Sequence, residues 1–320
     1  MGRRQVRGPG GAWSSVVGVR GVTKQNVLDT FPAFEEFWKM VRKEPVARQI
    51  SRWESEYMAP WPELLAKQKE NYASEGVDWK RVARTHVFPR LERRLGRMRA
   101  LHRDLLRTLP ASWTRARKAL HLRFPVHFVI YVGIGCGAGW ATTYAGQPAC
   151  LMGLENAAED HPGGDGWSRR VVAHEVAHLA HQAWRNERWE GSADPWWTLY
   201  EEGFATYCER DLEPWAFGLR TGRSDWLAWC ERRRPWLARK FLRDVKAGRS
   251  LRTFFGSWYN ISGHIETGYY LGSELIREWS NELPLRAVAI LPRSEIRRRA
   301  HATLRRFADN GTPSGAKAAS

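Results

Sequence analysis

The stretch that most restricts this chain is Val171 to His181, reading VVAHEVAHLAH. It contains H-E-x-x-H as His174, Glu175 and His178. On an α-helix, residues four apart lie one above the other, so the two imidazoles can share one metal ion. Glu175 then stands where metal-assisted hydrolysis needs its general base. Val171, Val172, Ala173, Val176, Ala177, Leu179 and Ala180 surround these groups, which predicts a buried helix. Burying three histidines and a carboxylate is costly unless they have partners, and a metal is such a partner.

The rest of the chain must supply a core around that helix. Its 320 residues, 43% hydrophobic with 18 tryptophans, are enough for a sizeable one and exclude a disordered polymer. The net charge of +17 permits contact with nucleic acid, anionic membranes or acidic substrates. The basic residues are scattered, however, and their denser groups (Arg81 to Arg107, Arg232 to Arg243, Arg293 to Arg306) read as solvated helix faces. No recognition motif accompanies them, so no specific nucleic-acid partner is expected. Cys136, Cys150, Cys208 and Cys230 show neither C-x-x-C nor a short regular spacing, which argues against a zinc knuckle or a disulfide framework. The basic N-terminus lacks an apolar core, Val6 stands where myristoylation needs Ser or Thr, and no run of eighteen apolar residues occurs. A cytoplasmic protein without a transmembrane segment is expected.

Taken in order, residues 1–22 are Gly- and Arg-rich and read as a flexible leader. Residues 23–120 are helical in pattern: Phe31, Phe34, Phe37, Trp38 and Val41, then Leu91, Leu95, Met98 and Leu101, recur at three- and four-residue steps. Pro45, Pro60, Pro62, Pro89 and Pro110 divide this region into several helices. From 121 the character changes. Val126, Phe128, Ile130 and Val132 alternate as a strand that ends in the glycines at 133, 135, 137 and 139, and 140–144 and 147–155 are further strands. Ser168 is the expected N-cap of the histidine helix, and Asp194 with Pro195 opens the next one. The catalytic region extends to 309, and the Gly/Ala/Ser/Lys-rich tail at 310–320 reads as disordered.

Two histidines leave a catalytic zinc one protein ligand short. His181, Asp194, Glu201 and Glu202 are the candidates; His181 points past a metal held by the other two, and Asp194 is better used as a cap. HEVAH followed by LYEEGFATY resembles the gluzincin metallopeptidases, especially the aminopeptidase N family. The likeness implies Glu202, directly before Gly203, as third ligand, and Thr206 as the group that orients a zinc histidine. Gly153-Leu154-Glu155-Asn156 is similar to the strand with which those aminopeptidases grip a substrate's amino terminus, so Gly153, Glu155 and Asn156 become substrate-binding candidates. The second half is most similar to predicted zinc-dependent proteases of the same clan, which also carry a Gly-Tyr-Tyr-x-Gly segment, here Gly268 to Gly272. That implies Tyr269 or Tyr270 as oxyanion donor, with His264 as the competing group.

The expectation is an α+β, zincin-like metallopeptidase domain with a small mixed sheet and a mostly helical remainder. It would hold one Zn²⁺ per chain and cleave peptide or protein substrates with Glu175 as base. A non-catalytic zinc-binding protein and a nucleic-acid-associated basic protein are the readings from other classes. The presence of Glu175 argues against the first, and the missing recognition motif against the second.

Overall fold

The alternating run at 126–132 forms the middle of the sheet. In the computed structural model, which describes residues 27–160, 165–187, 194–217, 225–256 and 259–310, this run is strand β2 (His127–Tyr131). β1 (Val27–Asp29) and β4 (Gln147–Gly153) pair with it in parallel, and β3 (Trp140–Tyr144) runs antiparallel to β4. The order is β1-β2-β4-β3. β2 and the second half of β4 are buried without alternation, as strands covered on both faces are. The leader, most of the tail and the middle of the loop after the HExxH helix lie outside the described residues.

Around the sheet the chain is mostly helical. The N-terminal region gives α1 (Phe31–Val41), α2 (Val46–Arg52), α3 (Pro62–Ser74), α4 (Trp79–Val82) and the long α5 (Phe88–Ala119), with π-helical turns at Trp53–Tyr57 and Ala83–Val87. Pro45, Pro62 and Pro89 sit at helix starts, where a missing N–H costs nothing. Pro110 does not divide anything: it lies inside α5, whose buried face continues through Leu105, Leu109, Trp113 and Ala116. Packing of that face along the histidine helix outweighs the roughly 3 kcal/mol an interior proline costs.

The 147–155 segment is not one strand. It stops at Gly153, and Leu154–Asp160 is helix α6, a LENAAED run free of β-branched residues. Two longer helices follow, α7 (Asp165–Arg185) with the HExxH sequence and α8 (Pro195–Leu212). Asp194 caps α8 by accepting the Trp196 N–H at 2.9 Å. Ser168 is not a cap, since α7 starts three residues earlier and the Ser168 hydroxyl is buried against Thr108 Oγ1 at 3.0 Å. The chain ends with α9 (Pro214–Phe217), α10 (Trp226–Lys246), α11 (Arg252–Phe255), α12 (Thr267–Ser280), α13 (Leu285–Ala289) and α14 (Arg293–Asp309). No helix among the described residues is long and apolar enough to cross a membrane.

The N-terminal helices are built into the sheet. β1 comes from them, and the apolar side chains of both regions belong to one core. They also hold the glycine segment after β2. Trp53 Nε1 donates to the Val132 carbonyl (3.1 Å), and the Val132 N–H donates to Tyr57 Oη (3.2 Å). The Ile134 N–H donates to Gln68 Oε1 (3.2 Å), and Tyr72 Oη donates to the Ile134 carbonyl (2.8 Å). From the opposite side Glu155 Oε1 accepts the Gly135 N–H at 3.0 Å. The glycine segment is thereby fixed on both sides before it enters β3.

Candidate metal centre

Helices α7 and α8 pack together so that three side chains converge. His178 Nε2 lies 3.2 Å from His174 Nε2, and Glu202 Oε2 lies 3.2 Å from the first imidazole and 3.5 Å from the second. A tetrahedral zinc with bonds of about 2.0–2.2 Å separates its ligand atoms by roughly 3.3–3.5 Å, so this donor set suits that ion. The electrostatics point the same way. Burial works against charge on His174, but Glu202 and Glu209 outweigh it and push the imidazole up to about 10. Burial likewise opposes the Glu202 charge, yet the two imidazoles hold its carboxyl well below the ordinary range. The cluster therefore attracts positive charge to its centre.

Behind His174 stands a carboxylate that the sequence reading missed. Glu209 Oε2 lies 3.1 Å from His174 Nδ1; a carboxylate only accepts, so it fixes a proton on Nδ1 and turns Nε2 toward the other ligands. Glu209 in turn pairs with the buried Arg170 at 3.3 Å. The expected group, Thr206, does not do this: its buried hydroxyl has no hydrogen-bond partner. Glu202, Thr206 and Glu209 share one face of α8 at four- and three-residue steps, so the signal was the helical spacing of a second acid. Glu209→Gln is expected to weaken zinc binding 10–100-fold, as such partners commonly do, read by competition with a chromophoric chelator. Unchanged affinity in a folded variant would remove the orienting role.

Glu175 faces the same cleft from α7. Its carboxyl accepts the Ala141 N–H of β3, and burial pushes its pKa up against the pull of both imidazoles. Gly139 makes this approach possible, since a Cβ there would lie 2.6 Å from Glu175 Oε1. The edge strand beside the metal ligands is thus β3, not the segment ending in Glu155. His181 is not one of the three converging side chains and does not face solvent. It is buried against α8 with Nε2 2.9 Å from Tyr200 Oη, and burial, helped by His178 and Arg185, pushes it down to about 3.

The cleft has a volume of about 1330 Å³ and is walled by the glycine segment, α7, α8, the end of α3, residues between 245 and 256, and Tyr259, Glu266 and Tyr269. His174, Glu175, Glu202, Asn156 and Tyr269 line it. Glu155 does not: it is fully buried under the glycine segment and holds that segment in place instead of meeting a substrate. Gly153 ends β4 beneath the same segment. Tyr270 points into the core, fully buried against Trp226, with its hydroxyl unpartnered. His264 is stacked on Trp229 at 4.0 Å and is likewise absent from the cleft wall. Of the three oxyanion candidates only Tyr269 reaches the site, its ring 5.8 Å from that of His174.

No protein family, curated protein or solved structure matches this chain.

Proposed function

We propose that the chain is a zinc-dependent peptide hydrolase on a zincin-like α+β frame, with one zinc ion held by His174, His178 and Glu202. What carries this reading is the meeting of two HExxH imidazoles with a carboxylate from the next helix, at separations suited to tetrahedral zinc, in a cleft that also receives Glu175. Zinc bound there supplies a Lewis acid that polarises a carbonyl and acidifies water. The remaining work falls to the chain's own residues. Glu175, tethered by the Ala141 N–H, takes the proton of the attacking water and returns it to the leaving amine. The outer edge of β3, with no strand partner among the described residues, offers main-chain groups to an extended peptide.

Tyr269 is the hydroxyl we assign to the oxyanion. Tyr269→Phe should lower kcat/KM by roughly 10²–10³. Tyr270→Phe should change it less than about twofold and leave stability equal or higher, since the lost hydroxyl is buried without a partner. The reverse pattern would overturn the assignment. The cytoplasm is the compartment we infer, in keeping with four cysteines that are all free. The reading as a whole is tested by metal analysis of protein purified without chelator, together with cleavage of a peptide library. Protein without stoichiometric zinc that cleaves no peptide would sink it.

A further inference from the structure

One wall of the cleft is a strip of aromatic rings that starts at a metal ligand and runs to the surface. Tyr269 lies 5.8 Å from the His174 ring, and Phe255 meets Tyr269 edge-on at 5.7 Å. Tyr259 follows at the rim, 42% exposed. All three line the cleft, with Leu251 beside them. The backbone is notched to seat these rings. A Cβ on Gly268 would lie 2.5 Å from the Phe255 ring, and one on Gly256 would lie 2.8 Å from the Tyr259 ring.

Aromatic residues on helices are usually core, but here the core role falls to a neighbour. Phe254 is fully buried and packs on Phe241 at 5.3 Å, whereas Phe255 and Tyr269 are half-buried and face the cleft. Among the described residues four large hydrophobic side chains are exposed, and Tyr259 is the one that lines the cleft. Such exposure costs free energy unless something apolar covers it.

We propose that this strip is a specificity subsite for a large apolar side chain, aromatic or branched aliphatic, of a peptide substrate. This rests on the peptide-hydrolase reading and adds the substrate class. Phe255 is two ring contacts from His174, and an extended chain covers that span in about three residues at roughly 3.3 Å each, so the recognised side chain lies close to the scissile bond. Edge-to-face and offset contacts with three rings favour a phenylalanine side chain, and a leucine covers the same apolar surface, while an alanine leaves the strip wet.

The test uses the zinc-loaded full chain and a peptide library in which one position at a time is varied. At the recognised position, kcat/KM for Phe should exceed that for Ala by about 10–200-fold. In Phe255→Ala and in Tyr259→Ala that ratio should fall below about fivefold, with zinc content and Tm checked in each variant. Both side chains are partly exposed, so neither truncation empties the core. The same Phe and Ala peptides, labelled with fluorescein, are also titrated by anisotropy into the Glu175→Gln variant, with and without Phe255→Ala. Tighter binding of the Phe peptide, lost on removing Phe255, is expected. Indifference to large apolar residues both in wild-type cleavage and in binding to Glu175→Gln, or a preference that survives both substitutions, overturns the proposal. Selective binding without any hydrolysis by the wild type would uphold the subsite and overturn the hydrolase reading instead.

Discussion

Glu175→Gln is expected to leave zinc in place and remove hydrolysis, whereas Glu202→Ala is expected to remove the zinc. The two carboxylates stand in one cleft but in different surroundings. Glu202 sits among the imidazole nitrogens at 3.2 and 3.5 Å and is the anionic member of the cluster. Glu175 is tethered to the main chain of β3 and is not one of the three converging ligands. Glutamine keeps its shape but cannot accept a proton, and loss of a positioned base commonly costs 10²–10⁴ in rate. We therefore expect kcat/KM to fall by about 10³ with stoichiometric zinc retained. Losing a ligand should weaken zinc more than losing an orienting partner does, hence by more than about 100-fold. Mass-spectrometric metal content and peptide cleavage on the same preparations separate the outcomes. Full hydrolysis by Glu175→Gln would remove the mechanism, and full zinc in Glu202→Ala would remove the ligand assignment.

The second large effect is expected at a helix crossing. α8 and α12 touch through Gly203 and Gly272, where a Cβ on Gly272 would lie 2.3 Å from the Leu199 carbonyl oxygen and 2.7 Å from Gly203 Cα. These are main-chain atoms of a helix, so they cannot rotate away as a side chain would. Gly203 directly follows Glu202, and Gly272 is one turn beyond Tyr269. Forcing the helices apart thus separates the proposed zinc ligand Glu202 from the hydroxyl we assign to the oxyanion. Gly272→Ala should cost about 3 kcal/mol. That corresponds to a drop in Tm on the order of 5–10 °C, with weakened zinc binding. Gly96→Ala is the control: it lies inside α5 with nothing within 4 Å of its Cβ position, and should stabilise by about 0.5–1 kcal/mol. Wild-type melting of Gly272→Ala would show that the crossing is looser than the contacts imply.

Both glycines belong to the two sequence likenesses, Glu-Gly-Phe-Ala and Gly-Tyr-Tyr-x-Gly, and the crossing gives them a physical reason. Features set by spacing along one helix or strand were legible in the sequence: the His174–His178 pair, the bounds of β3, the cap at Asp194. Features that depend on how elements dock were not. Glu209 matters only because α8 lies where its carboxylate meets His174. The choice between Tyr269 and Tyr270 needed the rotation of α12 about its axis, which a run of two tyrosines does not reveal. At Glu155 local chemistry overrides a short likeness, since LENAAED has helix formers and nothing β-branched. Pro110 misled in the opposite sense, a local breaker overridden by tertiary packing.

The double grip on the glycine segment bears on how this molecule can be made. Strand β2 is joined to β1 and to Thr30 across 100 positions of chain, and its exit is bonded to side chains of α3 and of the π-helical turn that precedes it. The residues of the candidate metal centre come later in the chain, but the template that sets their spacing is synthesised first. No shorter fragment starting near residue 121 retains that template. During translation the N-terminal helices must wait, their aromatic faces uncovered, until β2 emerges. The cleft is accordingly among the last parts to be completed, and its wall depends on Trp53, Tyr57, Gln68 and Tyr72 as much as on the histidine helix.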